Sequence, residues 1–225
     1  MSYLKRNVDI SFNQIVSFLK RGYLFREIVL KGISIKILSK IFSILKYKFF
    51  DHGKDIDIDF RAVIDGCKFI KLGNNIFIHK NAWISVPLLD MQAKPKKPVI
   101  EINDGTRIGP GCVISACKKL VFEEDVLLGP NVTILDHNHE YDNINIPISK
   151  QGIKFKGSVI IGKGSWLGVN SVVCPSNKDI IIGEHCIIGA NSVLTKSTPP
   201  YTVFSGSPAK CIKKYNHNTK KWMNV

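Results

Sequence analysis

The chain has 225 residues, 44% of them hydrophobic and 22% charged, a composition that belongs to a folded globular domain and excludes a disordered or low-complexity polypeptide. Its formal net charge of +14 implies an anionic partner or surface without naming one. No run of 18 uncharged apolar residues occurs, so no segment is expected to cross a bilayer as a helix.

Residues 1–55 read as a basic amphipathic helical segment. Ten Lys and Arg stand against Asp9 and Glu27 within residues 1–50, so 10 − 2 = +8 of the charge lies there. Ile15, Phe18, Leu19, Phe25, Ile28, Val29 and Leu30 recur at roughly helical spacing, with interruptions at Gly22 and Gly32. A short apolar core followed by a small-residue cleavage site is absent, so the segment does not read as a secretory leader. Two roles stay open: a cap over the first strands of the domain that follows, and peripheral contact with an anionic membrane surface.

From Leu72 to Leu194 an aliphatic residue, often followed by Gly, recurs in blocks every six residues. The phase runs through Leu72, Ile78 and Ile84, then Ile108 and Ile114, then Phe122, Leu128 and Ile134, then Ile161 and Leu167, and finally Ile182, Ile188 and Leu194. Four residues after these come small or β-branched side chains: Ala82, Cys112, Val126, Val132, Ser165, Ser171, Cys186 and Ser192. A helix repeats at about 3.6 and a strand at about 2, so this beat fits neither. It predicts a parallel β-helix in which three hexads close each triangular coil, with Gly expected at corners whose backbone angles a Cβ would resist. An ordinary sandwich would place its turns about 8–12 residues apart instead.

The rhythm breaks at Pro87–Pro98, at Leu135–Ser158 and at Pro175–Asp179. The first is a Lys- and Pro-rich excursion and the third a swollen corner. The second, holding Asp136-His137-Asn138-His139-Glu140-Tyr141-Asp142, carries chemistry, because a solenoid places its insertions on its binding face. Cys67, Cys112, Cys117, Cys174, Cys186 and Cys211 form no CxxC pair and read as reduced core residues of a cytosolic protein, with no metal site expected.

The hexad blocks, the Asp136–His139 loop, the Lys163-Gly164-Ser165-Trp166-Leu167-Gly168 hexad and the run from Ile182 to Ile212 together resemble the left-handed β-helix acetyltransferases, in particular the galactoside, maltose and surface-polysaccharide O-acetyltransferase group. The resemblance covers about residues 70–214 and implies an all-β left-handed parallel β-helix over 56–214, a loop at 135–158, a tail at 215–225, homotrimeric assembly and acetyl-CoA as donor. It further implies a general base in the loop, His139 first and His137 second. Acetyl-CoA would lie along Trp166, Gly168, Asn170, Gly189, Ala190, Ser192 and Thr195, with Lys196 and Lys210 as partners for its phosphates. The galactoside and maltose branches differ in their N-terminal segment, and the loop departs from theirs. That departure favours a carbohydrate acceptor in a surface polysaccharide and a cytoplasmic enzyme touching the membrane through its basic N-terminus, with no nucleic-acid partner. An amino-sugar N-acetyltransferase is the first alternative. A zinc-dependent carbonic anhydrase of the same fold would need three converging histidines, and His79, His137, His139 and His185 lack such spacing.

Overall fold

The computed structural model describes residues 47–87 and 96–225. The expected helical segment up to residue 46, and most of the first break, lie outside the described residues. Within them the chain winds through six coils of three short strands each, a left-handed parallel β-helix.

Three faces result, each a parallel sheet. The first stacks Asp51–His52, Ile70–Leu72, Ile100–Ile102, Leu120–Phe122, Val159–Ile161 and Ile180–Ile182. The second stacks Asp57–Ile58, Phe77–Ile78, Arg107–Ile108, Leu127–Leu128, Trp166–Leu167 and Ile187–Ile188. The third stacks Val63–Asp65, Trp83–Ser85, Val113–Ser115, Thr133–Leu135, Val172–Val173 and Val193–Leu194. The register is strict: Leu120 pairs Ile100 below and Val159 above, and Leu127 pairs Arg107 and Trp166.

The six-residue beat maps onto the core. Leu72, Ile78, Ile84, Ile108, Ile114, Phe122, Leu128, Ile134, Ile161, Leu167, Ile182, Ile188 and Leu194 are at most 2% exposed, and the small positions from Ala82 to Ser192 are fully buried beside them. One coil precedes the beat. Ile58 and Ile64 point inward from Asp51–Asp65, but Ile58 is followed by Asp59 where most later coils have Gly, so the first coil carries a weaker signal. At that corner the Asp59 carboxylate accepts the Arg61 backbone N–H at 2.9 Å.

The glycines that follow the aliphatic positions serve a different purpose from the one expected. Gly73, Gly109, Gly129, Gly162, Gly168, Gly183 and Gly189 have no left-handed backbone angles. They are required by the coil stacked on them: a Cβ at Gly162 would lie 2.6 Å from the Glu184 nitrogen, and one at Gly168 would lie 2.8 Å from the Ala190 nitrogen. The left-handed residue comes two positions later each time, at Asn75, Gly111, Asn131, Gly164, Asn170, His185 and Asn191, with φ from 50° to 70°. Asn tolerates that conformation better than most residues with a Cβ, which explains its recurrence. Asn131, Asn170 and Asn191 stack into a ladder of side-chain amides, linked at 3.2 and 3.1 Å.

The last strands leave the helical path. Thr202–Gly206 extends the second face in parallel and turns back into Ala209–Asn216, which pairs with Lys221–Asn224. The stretch read as a tail from 215 is thus a β-hairpin, held by an aromatic chain from His185 through Tyr201, His217 and Tyr215 to Trp222. Only Cys112 and Cys186 are core cysteines. Cys67, Cys117, Cys174 and Cys211 are half-buried.

Gly162→Ala should destabilise the protein by about 1–3 kcal/mol, because the added methyl meets backbone that cannot step aside. At residue 170, Ala should cost about 1 kcal/mol more than Gly, since both lose the amide ladder but only Ala strains the left-handed backbone. Thermal unfolding of the three variants checks this, and equal losses for Asn170→Ala and Asn170→Gly would contradict it.

Candidate active site

After Thr133–Leu135 the fourth coil does not turn its corner. The chain projects as an antiparallel hairpin, His137–His139 against Ile153–Phe155, and rejoins the fifth coil at Val159. His137 faces Phe155 and His139 faces Ile153, so both imidazoles lie on one side of the hairpin. Beyond the strands the Gln151 amide knots the loop: its Nε2 donates to the Asn143 and Ile146 carbonyls at 2.8 and 2.7 Å, and its Oε1 accepts the Asn143 N–H at 3.0 Å. Tyr141, Ile144, Ile146 and Ile148 form an apolar rim around a hollow of about 540 Å³, with Ile144 95% exposed. Lys154 donates to Asp142 at 2.8 Å across the hairpin, which holds that carboxyl below its ordinary range and raises the ammonium.

The hairpin is rooted by Asp136, which is fully buried. Its carboxylate accepts the backbone N–H groups of Cys117, Lys118 and Lys119 at 2.8, 2.8 and 3.1 Å, and lies 2.8 Å from Nδ1 of His137. In register, Asp136 stands over Val86 and Ala116, both core residues of the coils below. The equivalent positions in the two coils below, Val86 and Ala116, are apolar, and the reading of the loop by its histidines missed the carboxylate that takes their place.

Among the described residues, Cys117, Asp136 and His137 are the group whose potential ligand atoms converge, within 4.8 Å of one another. The carboxylate is occupied by four N–H donors, and burial, reinforced by the Asp136 charge, pushes the Cys117 thiol up to about 12.

The structure separates the two histidines. His137 has a side chain only 12% exposed and engaged with Asp136, whereas His139 is exposed at the outer end of its strand. Trp166 projects from the second face, 47% exposed, between Leu127 and Ile187. The expected donor-site residues divide by accessibility. Ala190, Lys196 and Lys210 are exposed, and Gly189 and Thr195 are half-buried. Asn170 is exposed, but its amide belongs to the ladder. Ser192 is a correction: its side chain is fully buried and its Oγ accepts the Gly206 N–H at 3.1 Å, so it presents nothing to a ligand. Gly168 is buried under the Gly189–Ala190 backbone and serves coil stacking.

Comparison with known proteins agrees with this architecture. Residues 158–196 match the family model described as the hexapeptide repeat of succinyl-transferase. WbbJ of Escherichia coli K12, named as a lipopolysaccharide biosynthesis O-acetyl transferase, is 38% identical over 130 residues, 55% of this chain and 65% of the relative. Galactoside O-acetyltransferase of the same organism is 25% identical over 77% of each chain. AntD, an N-acyltransferase from Bacillus cereus solved with dTDP and coenzyme A, shares the fold at a TM-score of 0.62 and 20% identity, over 83% of this chain and 91% of that one. The chain is thus similar in sequence to proteins named O-acetyltransferases and in fold to an N-acyltransferase. Its match spans less than two thirds of the length of WbbJ.

In the folded protein at pH 8, iodoacetamide should leave Cys112 and Cys117 unmodified, because burial pushes their thiols up to about 11 and about 12. Mass spectrometry after brief labelling checks this, and rapid alkylation of Cys117 would contradict the closed network around Asp136.

Proposed function

We propose that the protein transfers the acetyl group of acetyl-CoA to a hydroxyl of a carbohydrate, in a bacterial surface polysaccharide or its precursor. The observation that carries this reading is an exposed imidazole, His139, on a hairpin rooted in the core, within a chain whose relatives are named O-acetyltransferases. The loop leaves at the corner between the third and first faces, whereas Gly189 and Ala190 lie at the corner between the second and third. Two different corners of one triangular section are brought together by placing a second copy alongside. That arrangement supports a site shared between subunits of a homotrimer.

In this mechanism His139 accepts the proton of the acceptor hydroxyl as its oxygen attacks the thioester carbonyl. The tetrahedral intermediate then collapses, the C–S bond breaks, and the leaving thiolate takes the proton back from the imidazolium. Imidazole suits both steps because its ordinary pKa lies near neutrality. His139 is preferred to His137 because an acceptor can approach it, while His137 is nearly enclosed. Trp166 offers an exposed indole face for the sugar or the pantetheine arm, and Lys196 and Lys210 offer exposed ammonium groups to the donor's phosphates.

The expected location is the cytoplasm, where the donor is made, with the basic N-terminal segment touching the inner membrane surface. Among the described residues, no helix is long and apolar enough to cross a membrane.

Acetyl-CoA consumption against polysaccharides, nucleotide sugars and their amino analogues tests the reaction class. Transfer confined to amines would overturn the hydroxyl assignment. His139→Ala should lower kcat by about 100-fold or more with little change in acetyl-CoA affinity, and His137→Ala should cost clearly less. Sedimentation should give about three times the 25.2 kDa chain mass, and a monomer at micromolar concentration would exclude the shared site.

A further inference from the structure

We infer that Asp136 and His137 are positioning residues, a buried carboxylate–imidazole clamp that fixes the strand carrying His139. The inference rests on His139 as the base and adds the device that holds it.

Three observations carry it. The first is the placement of a fully buried carboxylate at a position where the coils below have Val86 and Ala116. An ionised group there is tolerable only with its oxygens occupied, and they are: Oδ1 accepts from the Cys117 nitrogen and lies 2.8 Å from His137 Nδ1, and Oδ2 accepts from the Lys118 and Lys119 nitrogens. A carboxylate accepts only, so His137 carries its proton on Nδ1.

The second is that the contacts join the hairpin to the coil beneath it. The corner at 117–119 belongs to the path between the third and fourth coils, and Asp136 binds all three of its N–H groups. The opposite strand is tied to the same place: the Asp136 carbonyl accepts the Lys156 N–H at 2.9 Å, and the Lys118 ammonium sits 4.5 Å from the Phe155 ring, the residue that pairs His137.

The third is the geometry of the strand. His139 lies two residues beyond His137 on the same side, about 7 Å along an extended chain. Rotation of the strand about its root would therefore carry the base away from the acceptor. Fixing His137 at the root removes that freedom. Misplacement of a reacting group by about 1 Å can cost about 100-fold in rate.

Substitution at the two residues tests the clamp. Asn at 136 has one acceptor oxygen, and its amino group would face an N–H donor. Asp136→Asn should therefore lower kcat by about 10-fold with the acetyl-CoA KM nearly unchanged, and should speed amide hydrogen exchange in residues 137–155 without altering the other coils. His137→Asn places an amide N–H where Nδ1 stood but supplies no basic nitrogen. It should stay within about five-fold of the unmodified enzyme, while His137→Ala should lose about as much as Asp136→Asn. Unchanged kcat and exchange in Asp136→Asn would overturn the clamp. If that variant does not fold, the His137→Asn and His137→Ala pair decides, and equal loss in both overturns it. A His137→Asn enzyme as inactive as His139→Ala would make His137 itself the base. If instead His139→Ala stays active, the base assignment fails, while the exchange measurement on Asp136→Asn still judges the clamp separately.

Discussion

Everything in this molecule follows from stacking each coil directly on the one below at the spacing of paired strands, about 4.8 Å. At that distance the corner backbones nearly touch. Where the first corner residue is glycine there is no room for a side chain, as the 2.3 to 3.0 Å approaches at Gly73, Gly129, Gly162, Gly168 and Gly183 make plain. The residue two places later must turn left-handed, which selects Asn or Gly in most coils. The inward position must be aliphatic to fill a narrow core, and the position four later small or branched. The six-residue beat is the projection of these steric demands onto one dimension.

A stack this regular resists irregular backbone inside it, so chemistry is built where the chain departs from it. The departure after the fourth coil is prepared from within. Asp136 replaces an apolar core residue, gathers three backbone N–H groups from the corner below, and turns the end of a strand into a fixed root for a hairpin. The hairpin then carries His139 clear of the coil while the Gln151 amide and the Lys154–Asp142 pair keep its far end in one shape. The proposed thioester transfer would ask for little beyond this: a base at a fixed place, a donor held along a groove, and an acceptor between them.

Much of the fold was legible because the beat reports sterics directly: Ile161, Leu167, Ile182 and Ile188 could be placed in the core by counting. The first coil was marked less clearly, because Asp59 follows Ile58 where Gly marks that corner in most later coils. The corner glycines were recognised as necessary for the wrong reason, since proximity between coils cannot be seen from one coil's sequence. The hairpin at 215–225 was hidden because Tyr215 and Trp222 find each other through pairing across a turn, with no period to announce it. At the site, the histidines were visible as residue types, whereas the burial of Asp136 depends on register three strands away. Ser192, by contrast, sits at the small position four after Ile188, so the beat itself marks it as a core residue.

The central claim is that the site is divided between chains, with His139 from one copy and Trp166 from its neighbour. The most direct measurement mixes His139→Ala chains with Trp166→Ala chains, each nearly inactive alone, by unfolding and refolding them together. Some mixed trimers then hold an interface with an intact His139 and an intact Trp166, and the account predicts partial return of acetyl transfer. No recovery from two variants that each assemble correctly would contradict it, because a site within one chain leaves every subunit with a lesion.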